Sequence, residues 1–319
     1  MHGTDHREAD EPGLRSRSDQ QKTPAGHRHS RIAFGALLAV ATVVLTGCNA
    51  TVDRGFLPKG VTAVTPEVTD FWKATWLWGL AVGVLVWGLT LYCVVRYRRK
   101  KSDTGLPPQL AYNVPIEILY TVVPVFMVAV LFGKTVELEN KILDIQPNPN
   151  VTINVVGKQW SWDFNYVGAD VYDTGIQADL QSGKPGQEAD LPTLYLPVNE
   201  RVEFVLTTRD VIHSFWVVPF LQKMDMIPGK VNRFQVTPTQ IGTFRGKCAE
   251  LCGAYHSDML FNVKVVSKAD YEAHLQSLRD RGQVGFLSNA LNRSTLEPGQ
   301  QQYLPEGVKE SDIKEDATS

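Results

Sequence analysis

A run of 22 uncharged residues, Ala74–Val95, constrains this chain more than any other feature of its sequence. A helix of that length can cross the roughly 30 Å apolar core of a bilayer. Indole side chains favour the membrane interface, and the run begins among Trp72, Trp76 and Trp78. Because basic residues mark the cytoplasmic end of a span, its C-terminal end is predicted to be cytoplasmic. The residues concerned are Arg96, Arg98, Arg99, Lys100 and Lys101.

A second apolar run, Ile118–Gly133, follows Glu117 and contains Pro124. Proline is tolerated in a membrane helix where neighbours or water satisfy the freed backbone groups. The two runs predict a helical hairpin with transmembrane helices at 71–95 and 116–135. A cytoplasmic loop, 96–115, would join them. The segments 48–70 and 136 onwards would then lie on the extracytoplasmic side.

The N-terminal region has the pattern of a signal peptide. An apolar run, Ile32–Gly47, follows basic residues and ends in Leu45-Thr46-Gly47-Cys48. This ending resembles a bacterial lipobox, which predicts a signal peptide over 1–47 and a lipid on Cys48 after cleavage. The alternative is an uncleaved signal anchor in which Cys48 is an ordinary apolar residue. The polar residues 1–30 are expected to be disordered.

The region 136–266 is predicted to be an all-β domain. Short stretches that alternate apolar and polar side chains are separated by Pro and Gly, a pattern typical of antiparallel strands in a sandwich or barrel. They are 151–156, 201–206, 234–236 and 261–266. The polar segment 168–190 is predicted to be a surface loop. Within the C-terminal extension, 267–319, residues 268–281 could form an amphipathic helix, and the remainder would lie over a partner or stay flexible.

The strongest chemical signal is a cluster of soft donors. Cys248, Cys252, His256 and Met259 fall within twelve residues, and His213 lies 35 residues upstream. Thiolate, thioether and imidazole together suit copper better than calcium or magnesium. Two thiolates could bridge two copper ions, with one histidine on each and with Met259 and the Glu250 carbonyl as weak outer donors. A Cys248–Cys252 disulfide and a zinc site are the alternatives, and neither accounts for His213, Glu250 and Met259 together.

The motif resembles the copper A domain of cytochrome c oxidase subunit II, a family of the haem–copper oxidases. Three further stretches carry the resemblance, Lys158–Trp162, Asp210–Trp216 and Met224–Gly229. It runs from about residue 68 to 266 and implies a cupredoxin-like Greek-key β-barrel behind two transmembrane helices. The lipobox is similar to that of the bacterial form, which implies a bacterial plasma-membrane protein. A copper carrier or copper-delivery protein outside an oxidase, and a metal-free quinol oxidase subunit, are the alternatives.

The resemblance also implies roles for individual residues. Two copper ions would be bound by His213, Cys248, the Glu250 carbonyl, Cys252, His256 and Met259. The Glu250 carboxylate would bind magnesium or manganese shared with subunit I, since a hard oxygen donor suits such an ion. Trp160 would admit electrons from cytochrome c, although an interface or core indole is the commoner role for tryptophan. Glu117 would stand at the mouth of a proton channel, or would simply be solvated.

The implied partners are oxidase subunits I and III, membrane lipid and a cytochrome c, whether soluble, membrane-bound or part of a larger complex. Subunit I would reduce oxygen to water and pump protons, and this chain would be inactive without it. Nucleic acid is not expected, because 32 basic and 34 acidic residues give a net charge of −2.

An acidic docking surface for a basic cytochrome is predicted near Trp160, and a solvated loop is the alternative. Asn165 stands where the family often has a glutamate, which leaves the nearby acid at Asp163. The predicted surface comprises Asp163, Asp170, Asp173, Asp179, Glu188 and Asp190.

Overall fold

The computed structural model describes residues 50–100, 111–178, 191–289 and 313–314, with positions 102, 104–106 and 109 of the loop between. The proposed signal peptide and Cys48 lie outside these residues. The chain divides into a unit Met1–Val52 and a unit Asp53–Ser319. Of the first, only residues 50–52 are described, as part of the short helix α1 (Ala50–Asp53). Everything below concerns the second unit.

Two long helices contain the apolar runs. Helix α2 spans Thr65–Arg96 and helix α3 spans Val114–Leu143. Both are long and apolar enough to cross a membrane, and their most apolar stretches are not buried within the chain. At about 1.5 Å per residue, both helices outrun the apolar core of a bilayer. They therefore continue beyond the predicted spans on the side of the β domain, where Lys141 of α3 pairs with Glu67 of α2 at 2.7 Å.

The outer domain is built from two five-stranded sheets. The first has the order β3-β2-β1-β5-β8 and the second has the order β4-β10-β9-β6-β7. Their strands are β1 (Val151–Lys158), β2 (Ser161–Tyr166), β3 (Val171–Thr174), β4 (Thr193–Pro197), β5 (Val202–Thr208), β6 (His213–Val217), β7 (Gln222–Met226), β8 (Asn232–Val236), β9 (Gly242–Cys248) and β10 (Leu260–Val266). The predicted helical hairpin with an all-β domain is thereby confirmed.

The strand directions differ from the antiparallel prediction in two places. Strand β1 pairs with β5 in parallel, and β4 pairs with β10 in parallel, whereas the other pairs within the two large sheets are antiparallel. Alternation of apolar side chains shows which residues face the core, but it carries no information on the direction of a neighbouring strand. The segment 168–190 also differs, because residues 171–174 form strand β3 and 179–190 lie outside the described residues.

Aromatic side chains fill the space between the sheets. Phe215 and Phe261 stack with their centroids 5.1 Å apart, and Trp162 packs against both rings. The Phe261 ring leaves no room for a side chain at Gly246, where an added Cβ would lie 2.0 Å from the ring. This close packing fixes β9 against β10 and so sets the position of Cys248 at the end of β9.

The C-terminal extension packs on the β domain as far as it is described. Helix α4 spans Lys268–Asp280. Its N-cap is Ser267, whose side chain accepts a hydrogen bond from the Asp270 amide. It buries Tyr271, Leu275 and Leu278, and residues 286–289 after it are buried too. The helix prediction is confirmed, but the expectation that the rest is flexible or covers a partner is wrong for 286–289. A short parallel pair, β11 (Phe286–Leu287) with β12 (Ile313–Lys314), follows.

The segment before α2 also joins the β domain. Val61 is 2% exposed and belongs to the hydrophobic core. Its amide donates to the Pro219 carbonyl at 3.1 Å, and its carbonyl accepts from the Thr239 amide at 2.8 Å. Because α2 begins only four residues later, at Thr65, the outer end of this helix is held close to the β domain.

Candidate metal centre

The candidate ligands come from the ends of two neighbouring strands and the loop after them. His213 begins β6 and Cys248 ends β9, and these strands are paired. The loop 249–259 carries Cys252 and a 3-10 turn, His256–Asp258, and ends at Met259. The Cys248 amide donates to the Met259 carbonyl at 3.0 Å, which closes the loop on itself. Strand pairing therefore brings His213 to the donors that sequence spacing had already grouped.

All six predicted donor groups lie together. The sulfurs of Cys248 and Cys252 are 3.9 Å apart, and each has a histidine Nδ1 beside it. His213 Nδ1 lies 3.8 Å from the Cys248 sulfur, and His256 Nδ1 lies 3.5 Å from the Cys252 sulfur. Met259 Sδ is 3.8 Å from Cys252 Sγ, and the Glu250 carbonyl oxygen is 3.2 Å from Cys248 Sγ.

These separations fit metal ions bridged by two thiolates. A thiolate lies about 2.3 Å from a bound first-row ion, so two sulfurs on one ion can be up to about 4.6 Å apart. The 3.9 Å separation falls within that limit. Both cysteines are free thiols, so the disulfide alternative does not describe this structure. The soft donor set, with a thioether, favours copper over zinc.

The thiols of Cys248 and Cys252 differ in how readily they lose a proton. The Cys248 thiol is buried, which by itself would raise its pKa, but hydrogen bonds with His213 and with the backbone hold that pKa below its usual value. Burial and the neighbouring Cys248 sulfur raise the pKa of Cys252 to about 12. Two thiolates this close repel one another, so a bound cation is needed for both to be deprotonated at neutral pH.

Asp210 orients the His213 ring from outside the donor cluster. Its Oδ1 lies 2.8 Å from His213 Nε2, and its Oδ2 accepts from the Gln159 amide at 2.7 Å. A carboxylate on the far nitrogen is the usual partner of a metal-binding histidine, because it fixes the tautomer and the ring plane. The sequence pattern placed Asp210 in the stretch Asp210–Trp216 but indicated no role for it. Its position three residues before His213 was the available signal.

Trp160 lies against the loop 249–259. Gln159 and Trp160 form the two-residue connection between β1 and β2, and Trp160 is partly buried. The carbonyl oxygen of Cys252 accepts hydrogen bonds from Trp160 Nε1 at 3.2 Å and from Gln159 Nε2 at 2.8 Å. Tyr255 packs edge-on against the indole, with the ring centroids 4.8 Å apart. Gly253 has φ +125°, and an added Cβ there would crowd both Gln159 and Trp160.

The two predicted carboxylates lie outside the donor cluster. The Glu250 carbonyl faces the Cys248 sulfur, whereas the residue as a whole is exposed. Glu117 lies in the first turns of α3, where its Oε1 accepts from the Asn113 amide at 2.8 Å. Since Asn113 is the N-cap of α3, Glu117 helps to satisfy the free amides at the start of this helix.

The predicted acidic docking surface is wrong in one of its members. Asp163 is fully buried between Lys158 and Arg209, and Asn165 is buried as well. Neither can contact a partner. Trp162 and Phe164 take the core face of β2, and the opposite face, which carries Asp163 and Asn165, is covered by Lys158, Arg209 and residues 286–289. Asp170 is exposed and Asp173 is partly buried. The other predicted acids, at 179, 188 and 190, lie outside the described residues.

Two family models match the chain. One, described as the periplasmic domain of cytochrome c oxidase subunit II, covers residues 151–266, which include all the donors above. The other, described as the transmembrane domain of the same subunit, covers residues 50–133 and therefore most of the helical hairpin. The cupredoxin-like outer domain predicted from the sequence agrees with the first match.

Relatives align with most of the chain. It is 45% identical to a probable cytochrome c oxidase subunit 2 of Streptomyces avermitilis, with 83% of this chain and 91% of the relative covered. It is 33% identical to cytochrome c oxidase subunit 2 of Mycobacterium bovis, with 83% and 86% covered. A crystal structure of the periplasmic domain of subunit II from Bradyrhizobium japonicum is 28% identical, covers 43% of this chain and 99% of its own, and superposes with a TM-score of 0.39.

Proposed function

Because the chain belongs to the cytochrome c oxidase subunit II family, we propose that its outer domain accepts electrons from cytochrome c and passes them to the haem of subunit I. Its relatives are subunits of an oxidoreductase complex. In that complex, subunit I would reduce oxygen to water and pump protons. The chain would have no oxygen chemistry of its own.

The electron-accepting site would be a dinuclear copper centre. Its ligands would be the side chains of His213, Cys248, Cys252, His256 and Met259 and the Glu250 carbonyl. When bound, the two copper ions would supply a one-electron redox couple. The chain itself holds these donors in place. Asp210 fixes the orientation of the His213 ring, and the pairing of β6 with β9 places His213 beside Cys248.

The contact between Trp160 and the Cys252 carbonyl is the observation that carries the proposal. The indole is partly exposed, so a docked cytochrome could reach it. Its Nε1 donates directly to a carbonyl of a copper ligand, 92 residues away in sequence. One hydrogen bond and the bonds of a single residue therefore connect the surface with the Cys252 sulfur, a short route for an electron.

Three further roles belong to the same proposal. The exposed Glu250 carboxylate would hold magnesium or manganese at the boundary with subunit I. Glu117 would stand at the cytoplasmic mouth of a proton channel, near the inner end of α3. A lipid on Cys48, together with the two helices, would anchor the chain in a bacterial plasma membrane, where subunits I and III and lipid would surround it.

The test of electron entry compares two tryptophans in the assembled oxidase. Trp160→Phe removes the hydrogen bond to Cys252, so reduction by cytochrome c should slow while the copper spectrum is unchanged. Trp216→Phe is the matched control, since Trp216 is a partly buried indole on the other sheet, beside Lys247. Equal reduction rates for Trp160→Phe and the wild-type chain would refute the entry role.

The copper assignment is tested by electron paramagnetic resonance on the copper-loaded chain. Hyperfine structure from two equivalent copper nuclei is the expected result. A single-copper spectrum, or zinc in place of copper in the purified protein, would refute the assignment.

A further inference from the structure

A cluster of buried charges lies beside the connection between β1 and β2, Gln159–Trp160, which we call the Trp160 loop. Asp163 on β2 is fully buried and pairs with two cations, Lys158 Nζ at 2.9 Å and Arg209 Nη2 at 2.9 Å. The side chains of Lys158 and Arg209 are only 15% and 3% exposed. Thr174 donates to Asp163 Oδ1 at 2.7 Å, and Lys158 donates to Thr174 at 3.2 Å. Charges so deeply buried need this network of partners.

The two cations of this cluster stand next to the residues that hold the loop. Lys158 immediately precedes Gln159 and Trp160 in the chain. Arg209 immediately precedes Asp210, which accepts from the Gln159 amide and orients His213. Asp163 therefore ties together the two backbone segments from which the Trp160 loop and the His213 ligand are positioned.

The segment after α4 is joined to the same cluster. We call residues 286–289, all of them buried, the strap. Arg209 Nε donates to the Ser288 carbonyl at 3.0 Å. Asn165 donates to the Leu287 carbonyl at 2.9 Å and accepts from the Leu287 amide at 2.8 Å, as a neighbouring strand would. The Arg209 guanidinium thus bridges the strap and Asp163.

We propose that the strap is a positioning element for electron entry: through Arg209 and Asp163 it holds the Trp160 loop against the carbonyl of Cys252. An apolar cluster could have filled the same space at no loss of stability, because a buried ion pair is often no better than hydrophobic packing. What the ionic cluster adds is direction, since a planar guanidinium fixes two acceptors at once. We call the contacts by which the strap, Arg209 and Asp163 hold the Trp160 loop the brace. The role of the brace in electron entry rests on the function proposed above, whereas the existence of the brace does not.

Two truncations of the chain, assembled in the oxidase, test this brace. A chain ending at Gly285 lacks the strap. A matched control ending at Asn289 keeps the strap and its contacts with Arg209 and Asn165, and lacks the residues beyond, among them β12, which pairs with β11. Hydrogen–deuterium exchange of residues 157–162 should be roughly tenfold faster in the shorter chain, because the Gln159 amide opens more often. Exchange in the control should match that of the full chain. Reduction by cytochrome c should slow in the shorter chain only, with the copper spectrum retained.

Arg209→Lys provides a second variant in case the shorter chain does not fold. A lysine keeps the charge beside Asp163 but cannot also reach Ser288, so exchange at 157–162 should rise here too. Unchanged exchange in the variants that fold would overturn the brace. If exchange rises but neither these variants nor Trp160→Phe slows reduction, the brace stands and the electron-entry role of Trp160 falls.

Discussion

Gly157 allows a direct test of how tightly the His213 ring is held. Gly157 lies on β1, and an added Cβ would stand 2.9 Å from Cδ2 of His213 and 3.3 Å from its Cγ. Carbon atoms pack best at about 3.5–4.0 Å, so Gly157→Ala would require a shift of roughly half an ångström. The ring cannot move freely, because Asp210 holds its Nε2 at 2.8 Å.

The expected cost of Gly157→Ala follows from these contacts. Overpacking of this kind costs about 1–3 kcal/mol, and the lower backbone entropy of the unfolded chain returns about 0.4–1 kcal/mol. Urea unfolding of the expressed outer domain should therefore show a net loss of about 0.5–2 kcal/mol. The copper-loaded variant should also have altered hyperfine splittings, because the imidazole would bind in a displaced position.

Gly168→Ala is the matched control. An added Cβ there has no neighbour within 4 Å, and the residue lies in a turn away from the candidate metal ligands. Its unfolding free energy and copper spectrum should stay close to those of the unaltered domain. If Gly157→Ala behaved like Gly168→Ala in both measurements, the tight packing of the His213 ring would be disproved.

Three further changes probe the β domain. Burial and the charges of Arg281 and Lys264 lower the pKa of His274 to about 4, so stability should fall as pH falls from about 6.5 towards 4, and His274→Gln should reduce that loss. Burial raises the pKa of Asp173 to about 6. Its ionisation above that pH costs stability, so Asp173→Asn should stabilise the domain at pH 7–8 by about 1–3 kcal/mol in urea unfolding. Val61→Ala, in the intact chain, should cost about 1.5–3 kcal/mol and lower the melting temperature.

For each of these three predictions, a specific result would contradict the physical reason given. A His274→Gln variant that loses stability on acidification as steeply as the unaltered domain would show that another group titrates. Asp173→Asn should have little effect at pH 4, where the carboxyl is already protonated, so an equal gain at both pH values would exclude the ionisation argument. An unchanged melting temperature for Val61→Ala would show that the segment before α2 contributes little to the core.

Residues close in sequence were the ones whose roles could be predicted. Sequence spacing placed four donors on one loop: Cys248, Cys252, His256 and Met259. In the structure these donors are close enough to bind the same metal ions. The apolar runs likewise predicted α2 and α3, because a long uncharged apolar run is typical of a membrane-spanning helix. The ligation itself, and the roles of Glu117 and Cys48, stay predictions.

Where sequence reasoning failed, the deciding contact was distant. Asp163 was interpreted as a surface acid, yet it is enclosed by Lys158 of β1 and by Arg209, which directly follows β5. The part of the extension at 286–289 was expected to be flexible or to cover a partner, yet it fills a gap beside Asn165 and Arg209. No local pattern reveals such partners. Asp163 alternates with Trp162 and Phe164, which indicates the face opposite the core but not whether other segments cover that face.

Local sequence was enough to predict which donor groups form the candidate centre and which two segments are membrane-spanning helices. Four soft donors lie within twelve residues, close enough in sequence to come together on one loop. A run of 22 uncharged residues is long enough to cross a bilayer as a helix. The connection between the candidate centre and the protein surface depends instead on contacts between distant residues. The hydrogen bond from Trp160 to the Cys252 carbonyl joins residues 92 apart, and it depends on which strands pair and in what register. Alternating side chains specify the inner face of a strand, but its neighbours follow from the packing of the whole domain.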